Sequence, residues 1–137
     1  MSAPAALTDE GRAFVDERHL ATLSTMRRDG SIHVTAVGFT VEEAEAGLVV
    51  RIITDGASQK VRNVLRDPRA SVAHVDGARW ISFSGVASVS DAPDDVADAV
   101  ARYARRYRQP RENPTRVVIR IAVERAMGSR GLVAPAG

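Results

Sequence analysis

The sequence contains no cysteine, and this absence removes several classes of protein at once. Disulfide scaffolds, zinc–thiolate centres, iron–sulfur clusters and thiol nucleophiles all require that residue. Three histidines are present, His19, His33 and His74, but they lack the i, i+4 spacing that would put two ligands on one face of a helix. We therefore expect no metal site, and His33 is expected to be a surface or structural residue.

The chain also lacks long apolar runs and is poor in aromatic residues. No stretch approaches the roughly 20 apolar residues that span a bilayer. The segment Met1–Ala6 has neither the basic flank nor the apolar core of a signal peptide. These features predict a cytoplasmic protein that has no membrane partner. Aromatic residues make up only 4% of the chain and its arginines are scattered, so nucleic acid is not an expected partner.

Lysine is nearly absent, because Lys60 is the single lysine and every other basic residue is arginine. Guanidinium groups suit phosphate and carboxylate recognition, so the composition is compatible with an anionic ligand. The 137 residues are 45% apolar and 26% charged, which is ordinary globular usage. We expect one domain, residues 1–137, with a single core.

Hydrophobic periodicity predicts six strands and three short helices. The strands are expected at 19–26, 32–41, 48–54, 70–75, 80–90 and 116–124, and the helices at 7–18, 58–65 and 93–107. Asp-Gly pairs at 29–30 and 76–77 are typical of hairpin turns between antiparallel strands, and the acidic segment 42–47, which ends in glycine, is expected to be another turn. Many short antiparallel strands with few helices favour a mainly β fold, a closed or split β-barrel with helices packed around it.

The segment 54–63 carries the clearest chemical signal, because it runs from a strand end through a glycine turn into a helix. Free backbone N–H groups and the positive end of the helix dipole favour an anion there. Ser58 adds a hydroxyl at the cap and Lys60 a cation in the first turn, where a purely structural sequence would favour an acid. Arg51 lies upstream on the preceding strand and offers a guanidinium fork. The alternative is a solvated lysine beside an ordinary capping serine.

This segment also resembles a known family. Thr54-x-x-x-Ser58-x-Lys60, followed by a short helix and the run 66–70 (Arg-Asp-Pro-Arg-Ala), resembles the pyridoxamine phosphate oxidase-like superfamily. The likeness covers nearly the whole chain. Within the superfamily, the chain is similar to the actinobacterial coenzyme F420-dependent biliverdin reductases. The segments that carry this second likeness are 38–40, 56–60, 75–80 and 105–108.

The resemblance implies a six-stranded antiparallel split β-barrel of the FMN-binding type, and a homodimer with two cofactor sites at its interface. It implies that Ser58 and Lys60 hold the cofactor's phosphate, and that Trp80 or the loop at Arg108 serves the partner subunit's site. The expected cofactor-binding residues are Thr35, Ala36, Val37, Gly38, Arg51, Ile53, Thr54, Ser58, Gln59, Lys60, Asn63, Trp80 and Arg108. The small residues Ala36 and Gly38 are expected to let a planar ring approach the backbone.

The implied activity is hydride transfer from reduced coenzyme F420 to a bilin tetrapyrrole, converting biliverdin to bilirubin. The cofactor carries the chemistry, so no catalytic residue is named. Two alternatives remain open: an FMN-binding oxidase or reductase, and a non-catalytic module that carries a cofactor or tetrapyrrole. Trp80 is otherwise an ordinary core or interface anchor. Four arginines, at 105, 106, 108 and 111, form either a solvated helix end or a receptor for carboxylates of the cofactor tail or of a tetrapyrrole.

Overall fold

A computed structural model describes residues 5–134 and contains seven strands and three helices. The strands are β1 Ala21–Met26, β2 Ile32–Val37, β3 Thr40–Ala44, β4 Gly47–Asp55, β5 Arg69–Asp76, β6 Arg79–Ser90 and β7 Arg116–Gly128. The helices are α1 Asp9–Asp16, α2 Gln59–Arg66 and α3 Pro93–Arg106. None of the helices in this part of the chain is long and apolar enough to cross a membrane.

All seven strands belong to one antiparallel sheet in the order β2-β1-β5-β6-β7-β4-β3. The two outermost strands, β2 and β3, are consecutive in the sequence and are separated only by Gly38 and Phe39. Two residues span at most about 10 Å. The end of β2 and the start of β3 therefore lie close together, and the sheet must curve strongly to bring them there.

The core lies inside this strongly curved sheet, and strand periodicity explains why. In β4, Leu48, Val50 and Ile52 are buried while the residues between them are partly exposed. Alternate side chains of a strand point to opposite faces, so one face of each strand fills the interior. At one end, α1 adds Phe14 to the core, and Thr8 begins that helix by accepting a hydrogen bond from Gly11 N–H at 3.0 Å.

The prediction of six strands was wrong, because the expected strand 32–41 is two strands. Phe39 interrupts it: its N–H donates to the Tyr107 hydroxyl at 3.3 Å, and its carbonyl accepts from the Arg106 guanidinium. Side chains from the end of α3 thus take the backbone groups that a continuous sheet ladder would use. The chain resumes as β3 at Thr40, so the expected turn at 42–47 is mostly strand.

Candidate cofactor site

A cleft of about 280 Å³ opens where α2 begins. It lies between the end of β2, the end of β4, the last turn of α3 and the loop that precedes β7. Six of the residues expected to bind a cofactor line it: Ala36, Val37, Gly38, Ile53, Thr54 and Lys60. The remaining lining residues are Asp55, Tyr103, Pro110, Asn113 and Arg116. The structure thus brings together two expected segments that are far apart in the sequence, 36–38 and 53–60.

The turn between β4 and α2 is fixed by hydrogen bonds around Asp55. The Asp55 carboxylate accepts from the Thr115 hydroxyl, from Ala57 N–H at 2.9 Å and from Asn113 Nδ2 at 3.3 Å. Gly56 N–H donates to the Thr115 carbonyl at 2.9 Å. These bonds hold the pKa of Asp55 below its usual value, with the Thr115 hydrogen bond contributing most. Asp55 is therefore an ionised structural anchor that ties the turn to the loop before β7.

The N-terminus of α2 retains capacity for an anion. Ser58 is its N-cap residue, as expected, but the Ser58 side chain makes no capping hydrogen bond to the helix and its hydroxyl lies 3.4 Å from that of Thr54. The first turn contains no acidic residue. Backbone N–H groups at the start of a helix lack partners within the helix, so this terminus presents free donors.

Lys60 stands in this first turn with its side chain partly buried. Burial lowers the pKa of Lys60, and the nearby Asp55 carboxylate partly opposes that shift. None of the salt bridges found among residues 5–134 includes Lys60. An ammonium group that is partly desolvated, unpaired and at the positive end of a helix is stabilised by an anion in the cleft.

Opposite α2, the wall of the cleft at Gly38 is formed by backbone atoms, because glycine has no side chain. A Cβ atom on Gly38 would lie 2.9 Å from Tyr103 Cε2 and 3.1 Å from Tyr107 Cε2, closer than such contacts normally come. Two tyrosine rings at the end of α3 thus occupy the space into which the side chain of any larger residue at position 38 would project. Glycine at 38 is required by this packing, while Ala36 is the small residue that faces solvent.

Four of the expected cofactor-binding residues are not brought to the cleft by this chain's fold. Arg51 lies on β4, but its Nη1 is 2.9 Å from a Glu42 carboxylate oxygen. Thr35 is opposite Leu23 of β1. Trp80, which begins β6 and is 38% exposed, and Arg108, which is exposed in the loop after α3, also lie outside the cleft.

Two further expected residues, Gln59 and Asn63, act together on the other side of α2. Asn63 is fully buried, donating from Nδ2 to the Thr25 hydroxyl at 3.0 Å and accepting from Gln59 Nε2 at 2.8 Å. This chain of hydrogen bonds attaches α2 to β1. Asn63 therefore positions the helix that carries Lys60, without reaching the cleft itself.

Arg106 follows neither interpretation offered for the arginines after α3. It is only 6% exposed, and its guanidinium stacks over the Phe39 ring at 4.5 Å. Its Nη2 donates to the Glu17 carbonyl at 2.8 Å. The side chain is a structural part of the core margin, so it is neither solvated nor directed into the cleft.

Sequence reasoning missed Tyr103, Asn113 and Arg116 as parts of the cleft. Tyr103 carried the helical spacing of a core residue, and the other two stand at the end of a proline-containing loop that gave no chemical signal. Only the long-range contacts of Asp55 with Asn113 and Thr115 bring that loop to the turn. The proline and asparagine in the loop are the one local hint that it has a defined shape.

Comparison with known proteins agrees with this arrangement. The family model described as pyridoxamine 5'-phosphate oxidase matches residues 7–128. This chain belongs to that family. The resemblance read from the Thr54–Lys60 segment is thereby confirmed.

A protein named F420H(2)-dependent biliverdin reductase, from Mycobacterium tuberculosis, is 50% identical to this chain over 127 residues. The match covers 93% of this chain and 91% of the relative. A crystal structure of a conserved hypothetical protein from M. tuberculosis superposes with a TM-score of 0.75 at 28% identity, covering 92% of this chain and 86% of that one. A protein described as an F420 reductase has the same fold, with a TM-score of 0.69 at 22% identity over 85% of this chain and 94% of its own.

Proposed function

We propose that this chain is an F420H2-dependent reductase that acts on biliverdin. The observation that carries the proposal is the partly buried Lys60, which forms no salt bridge within residues 5–134, beside the uncapped N-terminus of α2, at a cleft lined by residues 36–38, 53–55 and 60. Half of the 127 aligned residues are identical to those of a relative named for this activity. Coenzyme F420 carries a phosphate, which is the anion that this terminus suits.

The residues of the chain have separate tasks in this proposal. Lys60 and the N–H groups of α2 bind the phosphate. β2 is an edge strand, so the backbone groups that it does not use toward β1 are available at 36–38 to hydrogen-bond the edge of a ring system. The Tyr103 ring behind Gly38 keeps that strand in place. The bound cofactor supplies the hydride, and the protein supplies position and charge.

The cleft of one chain is small for a whole cofactor, because ligand sites commonly enclose about 300–1,000 Å³. We infer that a second copy of the chain completes it. Ala36 lines the cleft and begins a row of small or apolar residues that crosses four further strands on the outer face of the sheet. In strand order, its members are Ala36, Thr22, Ala73, Ser82 and Met127.

Several apolar side chains beside this row are exposed to solvent, and contact with a partner subunit would bury them. Val34 is 56%, Val75 61% and Val86 48% exposed. Trp80 lies opposite Val75 in the same region. A face of this kind, continuous with the cleft, suits a homodimer whose sites lie at the interface. Trp80 or the Arg108 loop of one subunit then serves the cleft of the other.

Analytical ultracentrifugation tests the dimer. We expect the purified protein to sediment at twice the 14.7 kDa of one chain. Val34→Lys puts a charge into the apolar face and should shift the mass toward a single chain. Glu45→Lys, in the turn between β3 and β4 and away from this face, is the control and should leave the mass unchanged. A single-chain mass for the unaltered protein at micromolar concentration contradicts the dimer.

A reduction assay tests the activity. Purified protein is mixed with F420H2 and biliverdin, and the loss of biliverdin absorbance is followed together with the appearance of oxidised F420. We expect one equivalent of each to be converted, because one hydride and one proton convert biliverdin to bilirubin. FMN with a reductant, and NADPH alone, should give no reaction. A yellow flavin retained through purification would favour the FMN alternative, and binding of both ligands without reaction would favour a carrier module.

A further inference from the structure

Among the described residues that line the cleft, only Asp55 has a carboxylate. The other charged lining residues are Lys60 and Arg116, so the cleft carries one negative and two positive side chains. Like charges repel, so a carboxylate in an anion site lowers the affinity of that site for negative charge. Asp55 thus limits how much negative charge the cleft accepts.

The Asp55 carboxylate lies close to the backbone donors that face an anion. Its Oδ2 accepts from Ala57 N–H at 2.9 Å, and the Asp55 carbonyl accepts from Ser58 N–H at 3.1 Å. The free donors of the uncapped helix therefore begin at Gln59. Two residues span at most about 7 Å, so Asp55 Oδ2 is within about 10 Å of the Gln59 nitrogen. Charges at this separation interact appreciably below about 0.1 M salt.

Asp55 keeps its charge at neutral pH. Hydrogen bonds from the Thr115 hydroxyl, Ala57 N–H and Asn113 Nδ2 lower the pKa of Asp55, the Thr115 bond most, and the charge of Lys60 adds to the shift. In return, burial lowers the pKa of Lys60 and the Asp55 charge partly raises it. The carboxylate and the ammonium group therefore influence each other across the cleft.

A single negative charge is what the cleft can neutralise. Lys60 and Arg116 together exceed Asp55 by one positive charge, and the N-terminus of α2 adds about half a charge. A phosphodiester carries one negative charge. A phosphomonoester carries about 1.5 to 2 at pH 7, because its second pKa is about 6. Its second charge would have no full cation left to pair with and would be repelled by Asp55.

We propose that Asp55 is a specificity-determining residue, which makes the cleft favour a singly charged phosphodiester over a doubly charged phosphomonoester. The inference rests on the proposed function, in which Lys60 binds the cofactor's phosphate. The phosphate of F420 is a diester and that of FMN is a monoester, so this one carboxylate discriminates between the two cofactors. Its charge has this task in addition to the hydrogen bonds that fix the turn.

The test compares two ligands that differ only in this charge. They are the ring and ribityl chain of F420 as the 5'-phosphate, and the methyl phosphodiester of the same compound. Kd is measured by fluorescence at about pH 7.5 and about 0.05 M salt. We expect Asp55→Asn to shift the ratio of the two Kd values roughly three- to tenfold toward the monoester. The shift should vanish in about 1 M salt, where charges are screened within about 3 Å.

Two control variants separate the charge of Asp55 from its hydrogen bonds. Asparagine keeps a carbonyl oxygen for the bonds from Thr115 and Asn113, which both go to Oδ1. Thr115→Val removes one of these bonds and no charge, so it should weaken both ligands alike and leave the ratio unchanged. Asp94→Asn removes an exposed charge nine residues before Tyr103 on α3, about 13 Å along the helix, and should change the ratio less than about twofold.

The unaltered protein offers a second measurement that needs no variant. Near pH 5 the monoester is mostly singly charged, so its Kd should approach that of the diester, whereas near pH 7.5 the diester should bind more tightly. No histidine lines the cleft within residues 5–134, and its titratable side chains, Asp55, Lys60, Tyr103 and Arg116, act on both ligands. A monoester that gains affinity over the diester as the pH rises contradicts the inference.

The outcomes distinguish the inference from the proposed function. A ratio that Asp55→Asn leaves unchanged, with both ligands bound, overturns the inference and leaves the proposed function standing. If neither ligand binds the unaltered protein, the proposed function fails instead, and methyl phosphate and dimethyl phosphate are titrated against the amide NMR signals of Gln59 and Lys60. A gain in relative affinity for methyl phosphate in Asp55→Asn then supports the inference, and the same relative affinity in both proteins contradicts it.

Discussion

Replacing Lys60 with alanine is expected to weaken F420 binding by about 1.5–3 kcal/mol, or roughly 10- to 150-fold in Kd. The side chain is partly buried in the cleft and forms no salt bridge within residues 5–134, so its charge is free for the phosphate. Removing it leaves the phosphate with the backbone donors of α2 alone. Fluorescence titration of oxidised F420 against the variant measures the loss directly.

The controls separate charge from packing. Lys60→Arg keeps the cation and should retain most of the affinity. The thermal midpoint of Lys60→Ala should stay close to that of the unaltered protein, because no salt bridge among the described residues is removed. If Lys60→Ala binds F420 as tightly as the unaltered protein, the phosphate lies elsewhere and the assignment of the cleft is wrong.

The second large effect concerns His74, a buried histidine whose two ring nitrogens have no hydrogen-bond partner within residues 5–134. Its ring stacks on Phe14 with centroids 4.3 Å apart and meets the edge of Phe39. Burial lowers the pKa of His74 from 6.5 to about 4, and the charge of Arg106 adds to the shift. The imidazole is therefore kept neutral by its surroundings.

The free energy of unfolding should fall by about 2 kcal/mol between pH 7 and pH 5 through this group alone. The folded-state pKa of His74 lies below the unfolded value, so in this range the unfolded chain takes up a proton that the folded chain refuses. The stability that His74 contributes is complete above pH 6.5 and is lost as the pH falls toward 4. Urea unfolding at the two pH values measures the difference.

His74→Leu is the matched variant, since leucine keeps similar volume and gives up no hydrogen bond. Its free energy of unfolding should lose about 2 kcal/mol less over the same interval. Charged groups near His74, namely Glu17, His19, Asp76 and Arg106, are retained in the variant, so their own titration cancels in the comparison. Equal pH dependence of the two proteins would mean that His74 takes up its proton in the folded state.

The features that sequence reasoning predicted well depend on local signals. The turn at Asp55, the cap at Ser58 and the place of Lys60 in the first helical turn all follow from neighbouring residues. Ala36 and Gly38 entered through a family likeness, and the structure does bring them to the same cleft. The family itself was evident because the motif and the strand pattern agreed along the chain.

The features that it missed depend on distant partners. Nothing near Phe39 shows that its backbone is bonded to Arg106 and Tyr107, almost seventy residues later, so one long strand was expected where there are two. Arg51 was expected to be free to bind a ligand. Its partner Glu42 lies in a segment that was predicted to be a turn and is a strand in the structure. Long-range hydrogen bonds and ion pairs override local propensity at these positions.

The connection at Gly38–Phe39 also couples the stability of the two edge strands of the sheet, β2 and β3. Its backbone is held by residues at the end of α3, so release of that last helical turn loosens the adjoining ends of β2 and β3 in the same event, and the amide protons at those ends share one opening reaction. No residue of β3 lines the cleft, whereas β2 forms one wall of it. A ligand bound against β2 therefore slows hydrogen exchange in β3, a strand that it never touches.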